Sequence, residues 1–242
     1  MDSIFSGEWN GDPFILFGSY HLSALGVIVL VNILLVYFGR GWSESTRTKF
    51  RWGLAVLLIG DELLWHIWNI QAGLWNVQTM LPFHLCSVLV YVSAYMLVTK
   101  NYRLYEFVYL LGIAGATQAL LTPDAGKYGF PHFRAIQTMV SHGAIVTAAI
   151  YMTAVEKFRP TWQSFKRVLL YGNLYMAVIF VLNLAIGSNY LFIAHKPETA
   201  SLLDMLPAWP VYILFIEMIA LVVCLLLMAP FAVGDLWKKR AR

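Results

Sequence analysis

Seven apolar runs, each long enough to cross a bilayer, constrain this chain more than any other feature. A membrane-spanning helix takes about 20 consecutive apolar residues. The runs fall near 17–38, 48–71, 80–98, 103–121, 132–154, 163–187 and 207–233. They predict an all-α, polytopic membrane protein of seven transmembrane helices, folded as a single domain over residues 1–242. Composition agrees: 60% of residues are hydrophobic and 12% charged, with mean hydropathy +0.66. Soluble domains carry about twice that share of charge.

The basic residues are distributed unevenly between the two ends of these runs. The loops after the first, third and fifth runs, their flanks and the C-terminal tail hold 14 of the 17 Lys and Arg residues. Lys127, Arg134 and Lys196 remain on the other side, with Asp2, Glu8 and Asp12. By the positive-inside rule the N-terminus is outside and the C-terminus cytoplasmic. Such short basic clusters between apolar runs read as orientation signals and lipid contacts, not as a nucleic-acid surface. Membrane lipids are therefore the expected partners.

Ionisable groups inside hydrocarbon are costly and mark functional sites by default. In the second run Glu62, His66 and Asn69 stand at i, i+4 and i+7, on one helical face, with Asp61 about 100° round. The third run opens on Leu81-Pro82-Phe83-His84-Leu85-Cys86. Two residues apart on a helix, His84 and Cys86 point about 200° apart and cannot form a dyad. Gln118 ends the fourth run, His142 lies about ten residues into the fifth, Asn183 ends the sixth and Glu217 enters the seventh. These groups predict a polar cavity opening outward. His21 and His132 sit near the interface and read as structural, as does Asn69. Gly112, Gly115, Ala116 and Ala119 predict close packing of the fourth run.

The loop Ser188 to Leu206 is too apolar for a plain linker and is expected to lie over the cavity as a lid, with Ser201-Leu202-Leu203-Asp204 as a capping box. Cys86 and Cys224 differ in expected depth by roughly 15 Å, so they are not expected to pair. No cofactor is predicted. His and carboxylate side chains leave zinc as a candidate ligand, although only Glu62 and His66 share a ligand-like spacing.

Several motifs together resemble a known family. They are Leu81-Pro82-Phe83-His84-Leu85-Cys86, Gly115 to Asp124, Pro131-His132, Ser141-His142-Gly143, Gly187-Ser188-Asn189-Tyr190 with Lys196-Pro197, and Ser201 to Asp204 with Trp209-Pro210 and Tyr212. They resemble the YwaF-like integral membrane proteins of bacteria, which implies a multi-pass protein of the bacterial cell membrane. That family is distantly similar to a vertebrate transmembrane acyltransferase that remodels ether phospholipids, and more remotely to the androgen-induced lipid hydrolases. The resemblance implies a lipid acyl hydrolase or acyltransferase with His142 as base. Phe83 stands where those relatives carry a cysteine, and Cys86, one turn on, is the substitute nucleophile. Glu62, His66, His84, Gln118, Asn183, Asn189, Tyr190 and Glu217 are then expected to orient groups or bind substrate. The alternative expectation is a transporter or an ion- or solute-binding protein in which the His/Glu layer holds the cargo.

Overall fold

The computed structural model describes residues 4–196 and 202–240. Its regular elements are helical throughout, and no strand occurs among the described residues. The long helices are α1 (Ser19–Gly39), α2 (Glu44–Gln71), α3 (Leu85–Thr99), α4 (Tyr102–Leu121), α5 (Phe133–Ala154), α6 (Trp162–Ile186) and α7 (Val211–Arg240). Six of them are long and apolar enough to cross a membrane; the exception is α3. At 15 residues, α3 rises about 22 Å, short of the roughly 30 Å hydrocarbon layer.

The third run is expected to be helical from residue 80, but the helix begins only at Leu85. Pro82 cannot donate into a helix. Tertiary bonds hold the backbone around it: the hydroxyl of Tyr190 accepts from Leu81 N at 2.8 Å, and that of Tyr175 donates to Phe83 O at 2.9 Å. His84 therefore stands outside the helix and only Cys86 is on it, which replaces the expected opposition of the two across one helix.

The chain divides into two compact units: residues up to Trp75 with Cys86–Phe158, and Asn76–Leu85 with residues from Arg159 on. In the first unit α5 is the hub, packed against α1, α2 and α4. Its most apolar window is 78% buried, against 17% for α1, so the outer helices turn most of their surface to the surroundings. Small residues make the closeness possible. A side chain at Gly143 would meet Ile28 at 3.0 Å, and one at Gly112 would meet Ile145 at 3.2 Å. The fourth run is thus packed onto α5, closely at Gly112. Inside α4, Val108–Gly112 winds as a π-helical turn.

The segment before α1 is tied across one end of this unit. Ser6 O accepts from His132 Nε2 at 2.9 Å, Phe5 O from Trp68 Nε1 at 2.9 Å, and Asp12 O from Gly129 N at 3.1 Å. His132 also caps α5, its Nδ1 accepting from Arg134 N. His21 accepts from Phe17 N and donates to Leu120 O. Both histidines thus have both ring nitrogens committed to backbone.

At the opposite end of the unit, Glu156 is enclosed by basic side chains. Lys100 Nζ lies 2.8 Å from its Oε2, while Arg51 and the hydroxyl of Tyr151 reach its Oε1. Arg51 is also paired with Glu44 at 3.2 Å.

In the second unit α6 starts with a reciprocal cap between Thr161 and Ser164 and stops at Gly187, whose φ of 64° suits a residue without Cβ. Asn183 then organises the turn beyond it. Its Oδ1 accepts from Ser188 Oγ and Tyr190 N, and its Nδ2 donates to Tyr190 O. The expected capping-box residue Ser201 lies outside the described residues.

Candidate functional site

In the first unit, helical spacing brings Glu62 and His66 together as expected: Oε1 and Nε2 are 3.6 Å apart. The ring orientation is set by its other partner. Trp75 Nε1 donates to His66 Nδ1 at 3.0 Å, and an indole N–H is only a donor. A neutral His66 therefore carries its proton on Nε2, facing the carboxyl group. Glu62 is 4% exposed, and its Oε1 has no hydrogen bond among the described residues.

Asp61, 9% exposed, faces α5. Gln137 Nε2 donates to Asp61 Oδ2 at 2.9 Å, with Ser141 beside the same carboxylate. Because the amide nitrogen is committed there, its oxygen must face elsewhere. It accepts from Arg134 Nη1 at 2.8 Å. Arg134 donates its other arm to Asp124 O at 2.9 Å and lies over the ring of Trp65, 4.1 Å from the centroid. This Arg134–Gln137–Asp61 chain is the part of the layer that sequence reasoning missed. The i, i+3 spacing of Arg134 and Gln137 was visible; Asp61 joins them from another helix.

His142 is next to Ser141 on α5. Its Nδ1 is 2.7 Å from Thr138 O, and a carbonyl can only accept. The proton is fixed on Nδ1, leaving a lone pair on Nε2 that no group hydrogen-bonds among the described residues. Cys86 is a free thiol within electrostatic reach of Glu62. No hydrogen bond joins it to His142. Gln118, expected in the layer, is exposed and bonds Thr122 one turn on. Asn69 bonds Trp65 O on its own helix.

The remaining expected residues belong to the second unit. The ring of His84 packs against Tyr190 and Phe192, with centroids 5.1 Å from each, and its Nδ1 accepts from Leu191 N at 3.4 Å. Leu191 and Phe192 are left-handed, with φ of 61° and 53°. Consecutive non-glycine residues in that region store backbone strain, of order 1 kcal/mol or more each. Tyr190 is buried, its hydroxyl donating to Val77 O. Asn189 folds the loop onto itself, its Oδ1 accepting from Ala194 N and His195 N. Glu217 is half-buried on α7 with no hydrogen bond or ion pair among the described residues. Asn183, Asn189 and Tyr190 are thus the framework of a loop that presents His84.

Zinc gains no support from geometry: among the described residues no three His, Cys, Asp or Glu side chains are grouped to hold a metal ion.

Six helices of membrane-crossing length define a multi-pass membrane protein. The sequence profile of the TMEM164 family, a membrane protein family, matches residues 16–228, and the chain belongs to that family. No curated protein and no solved structure matches it.

Proposed function

We propose that this protein is an intramembrane enzyme that transfers or hydrolyses lipid acyl chains. In this reading α3 is a seventh span, the N-terminus is outside, the C-terminus is cytoplasmic, and the host is the bacterial cell membrane. The supporting observation is the tautomer of His142: Nδ1–H is held by Thr138 O, so Nε2 is kept as a base at the depth of a buried polar layer. The Leu81 to Cys86 stretch and Ser141-His142-Gly143 resemble the YwaF-like family, whose distant similarity to lipid-acyl enzymes suggests the substrate class.

The chemistry balances with this chain's own groups. His142 Nε2 takes the thiol proton of Cys86, and the thiolate attacks the ester carbonyl of a bound lipid. The ester C–O bond breaks, and the leaving alkoxide takes the proton back from the imidazolium. A water molecule or an acceptor hydroxyl, deprotonated by His142, then attacks the thioester carbonyl, the C–S bond breaks, and the departing Cys86 thiolate takes the proton back from the imidazolium. Glu62 and His66 would orient these groups.

A lipid carrying a thiol-reactive warhead tests this on a Cys224→Ala background. Labelling of that protein, lost in Cys86→Ala and strongly slowed in His142→Ala, is expected. Equal labelling of all three variants would rule the assignment out.

One observation favours a second reading, a transporter or an ion- or solute-binding protein: Glu62 Oε1 is buried with no hydrogen bond among the described residues, as a cargo-binding oxygen would be. Flux in proteoliposomes that disappears with Glu62→Gln or Glu217→Gln would support it over catalysis.

A further inference from the structure

Arg134 is an unusual place for a cation. It lies in the first turn of α5, a 22-residue helix, where the positive end of the helix dipole disfavours positive charge. It also stands apart from the 14 basic residues collected at the other side of the chain, against the usual charge distribution. The side chain is half-buried, and a guanidinium stays charged in proteins.

The groups that hydrogen-bond it are neutral. The two acceptors it engages, Gln137 Oε1 at 2.8 Å and Asp124 O at 2.9 Å, are both uncharged. It makes no ion pair among the described residues. Asp61 is joined to it through the amide of Gln137, and Asp124, Asp61 and Glu62 also act on it through space. Two of its five N–H donors are engaged, and the ring of Trp65 supports its face. A planar guanidinium, pre-oriented by neutral groups and with donors to spare, is the group that recognises phosphate best.

We infer that Arg134 binds the phosphate of a phospholipid headgroup and sets the register of the lipid along α5. About 12 Å of helix rise separates Arg134 from His142. Two extended side chains and the glycerol backbone of a phospholipid bridge that span, which would bring an ester carbonyl toward His142. Gln137 is a positioning residue: its amide is oriented by Asp61 and presents its oxygen to the guanidinium. The lipid-acyl reading enters only as the reason the phosphate belongs to a lipid.

Equilibrium binding to the full-length protein in detergent tests this without requiring turnover. Three probes are used: dioctanoyl phosphatidylglycerol, dioctanoylglycerol, which lacks phosphate, and inorganic phosphate. The wild type is expected to bind the phospholipid more tightly than dioctanoylglycerol. Arg134→Gln should weaken the phospholipid about tenfold or more, the loss expected for charge-assisted hydrogen bonds, and leave dioctanoylglycerol unchanged. Arg134→Lys should keep part of the preference, and Gln137→Leu should reduce it with the charge in place. Binding of inorganic phosphate as tight as that of the phospholipid, and equally dependent on Arg134, assigns the site to free phosphate and overturns the lipid assignment. Absence of a phospholipid preference in the wild type, or equal weakening of both lipids in Arg134→Gln, overturns the inference. Arg134-dependent binding in a protein that the thiol probe never labels would refute the acyl-transfer reading and keep this one.

Discussion

Gln137 gives its amide nitrogen to Asp61 at 2.9 Å and its amide oxygen to Arg134 at 2.8 Å, so a neutral side chain separates two opposite charges on different helices. The arrangement links α2 to α5, the hub of its unit.

Replacing Gln137 by Leu strands a buried carboxylate oxygen, whereas replacing both partners leaves fewer unmet groups. Gln137→Leu is therefore expected to destabilise by about 1–3 kcal/mol. The double variant Asp61→Leu with Gln137→Leu should be more stable than the sum of the single changes. Denaturation in a mild detergent series reads the cycle, and strict additivity would show that the contact carries no coupling.

Glu156 predicts a pH dependence. Burial raises its tendency to hold a proton, but hydrogen bonds from Lys100, Tyr151 and Arg51 outweigh burial and keep its carboxyl below the usual range. A depressed native value means the stabilisation is present above the unfolded value, about pH 4.3. It is lost as pH falls through the lower, native value. The wild-type melting temperature should drop over that acidic window, and Glu156→Gln should flatten this part of the profile. At neutral pH the same variant, which leaves Arg51 and Lys100 short of a counter-charge, should cost about 3 kcal/mol.

Gly129 supports the strap across the other end of the unit. A Cβ there would lie 2.3 Å from Asp12 O and 2.6 Å from Pro13 O, both backbone atoms that cannot step aside. Gly129→Ala should release residues before α1, seen as faster limited proteolysis at Glu8 or Asp12 with the helical bundle intact. A proteolysis rate unchanged from wild type would count against the strap being held there.

Trp75→Phe removes the donor to His66 Nδ1 while keeping an aromatic ring. Nitrogen-15 spectra of the histidine ring should show protonation at Nε2 in the neutral wild-type residue and a mixture of tautomers in the variant. If the wild type already shows a mixture, Trp75 does not set the ring.

Most of the helical order was legible because an apolar run of sufficient length has few alternatives in a bilayer. The start of α3 was not: residues 80–84 are as apolar as the rest of their run, and only bonds from the distant Tyr175 and Tyr190 reveal that they are not helical. Glu62 with His66 could be read from one helix, since i, i+4 spacing determines contact. Arg134 could not be weighed beside Asp61, because their link depends on how α2 meets α5. Gln118 could not be aimed for a related reason: its place along α4 was readable, but its direction depends on the winding of α4 before it.

That winding has a consequence of its own. A π-helical turn holds one residue more than the α-helix around it, so Val108–Gly112 accommodates an extra residue without interrupting the rod. Removing one residue there would let α4 close into a regular helix with everything beyond it still on its present faces, whereas closing the turn at constant length would rotate that part by about 100°. In the second case Gly115, Gln118 and Thr122 would face new neighbours while Tyr105 and Glu106 kept theirs. A single codon lost in this stretch would thus leave both halves of the helix facing as they do, and related chains without the turn should be one residue shorter at this point.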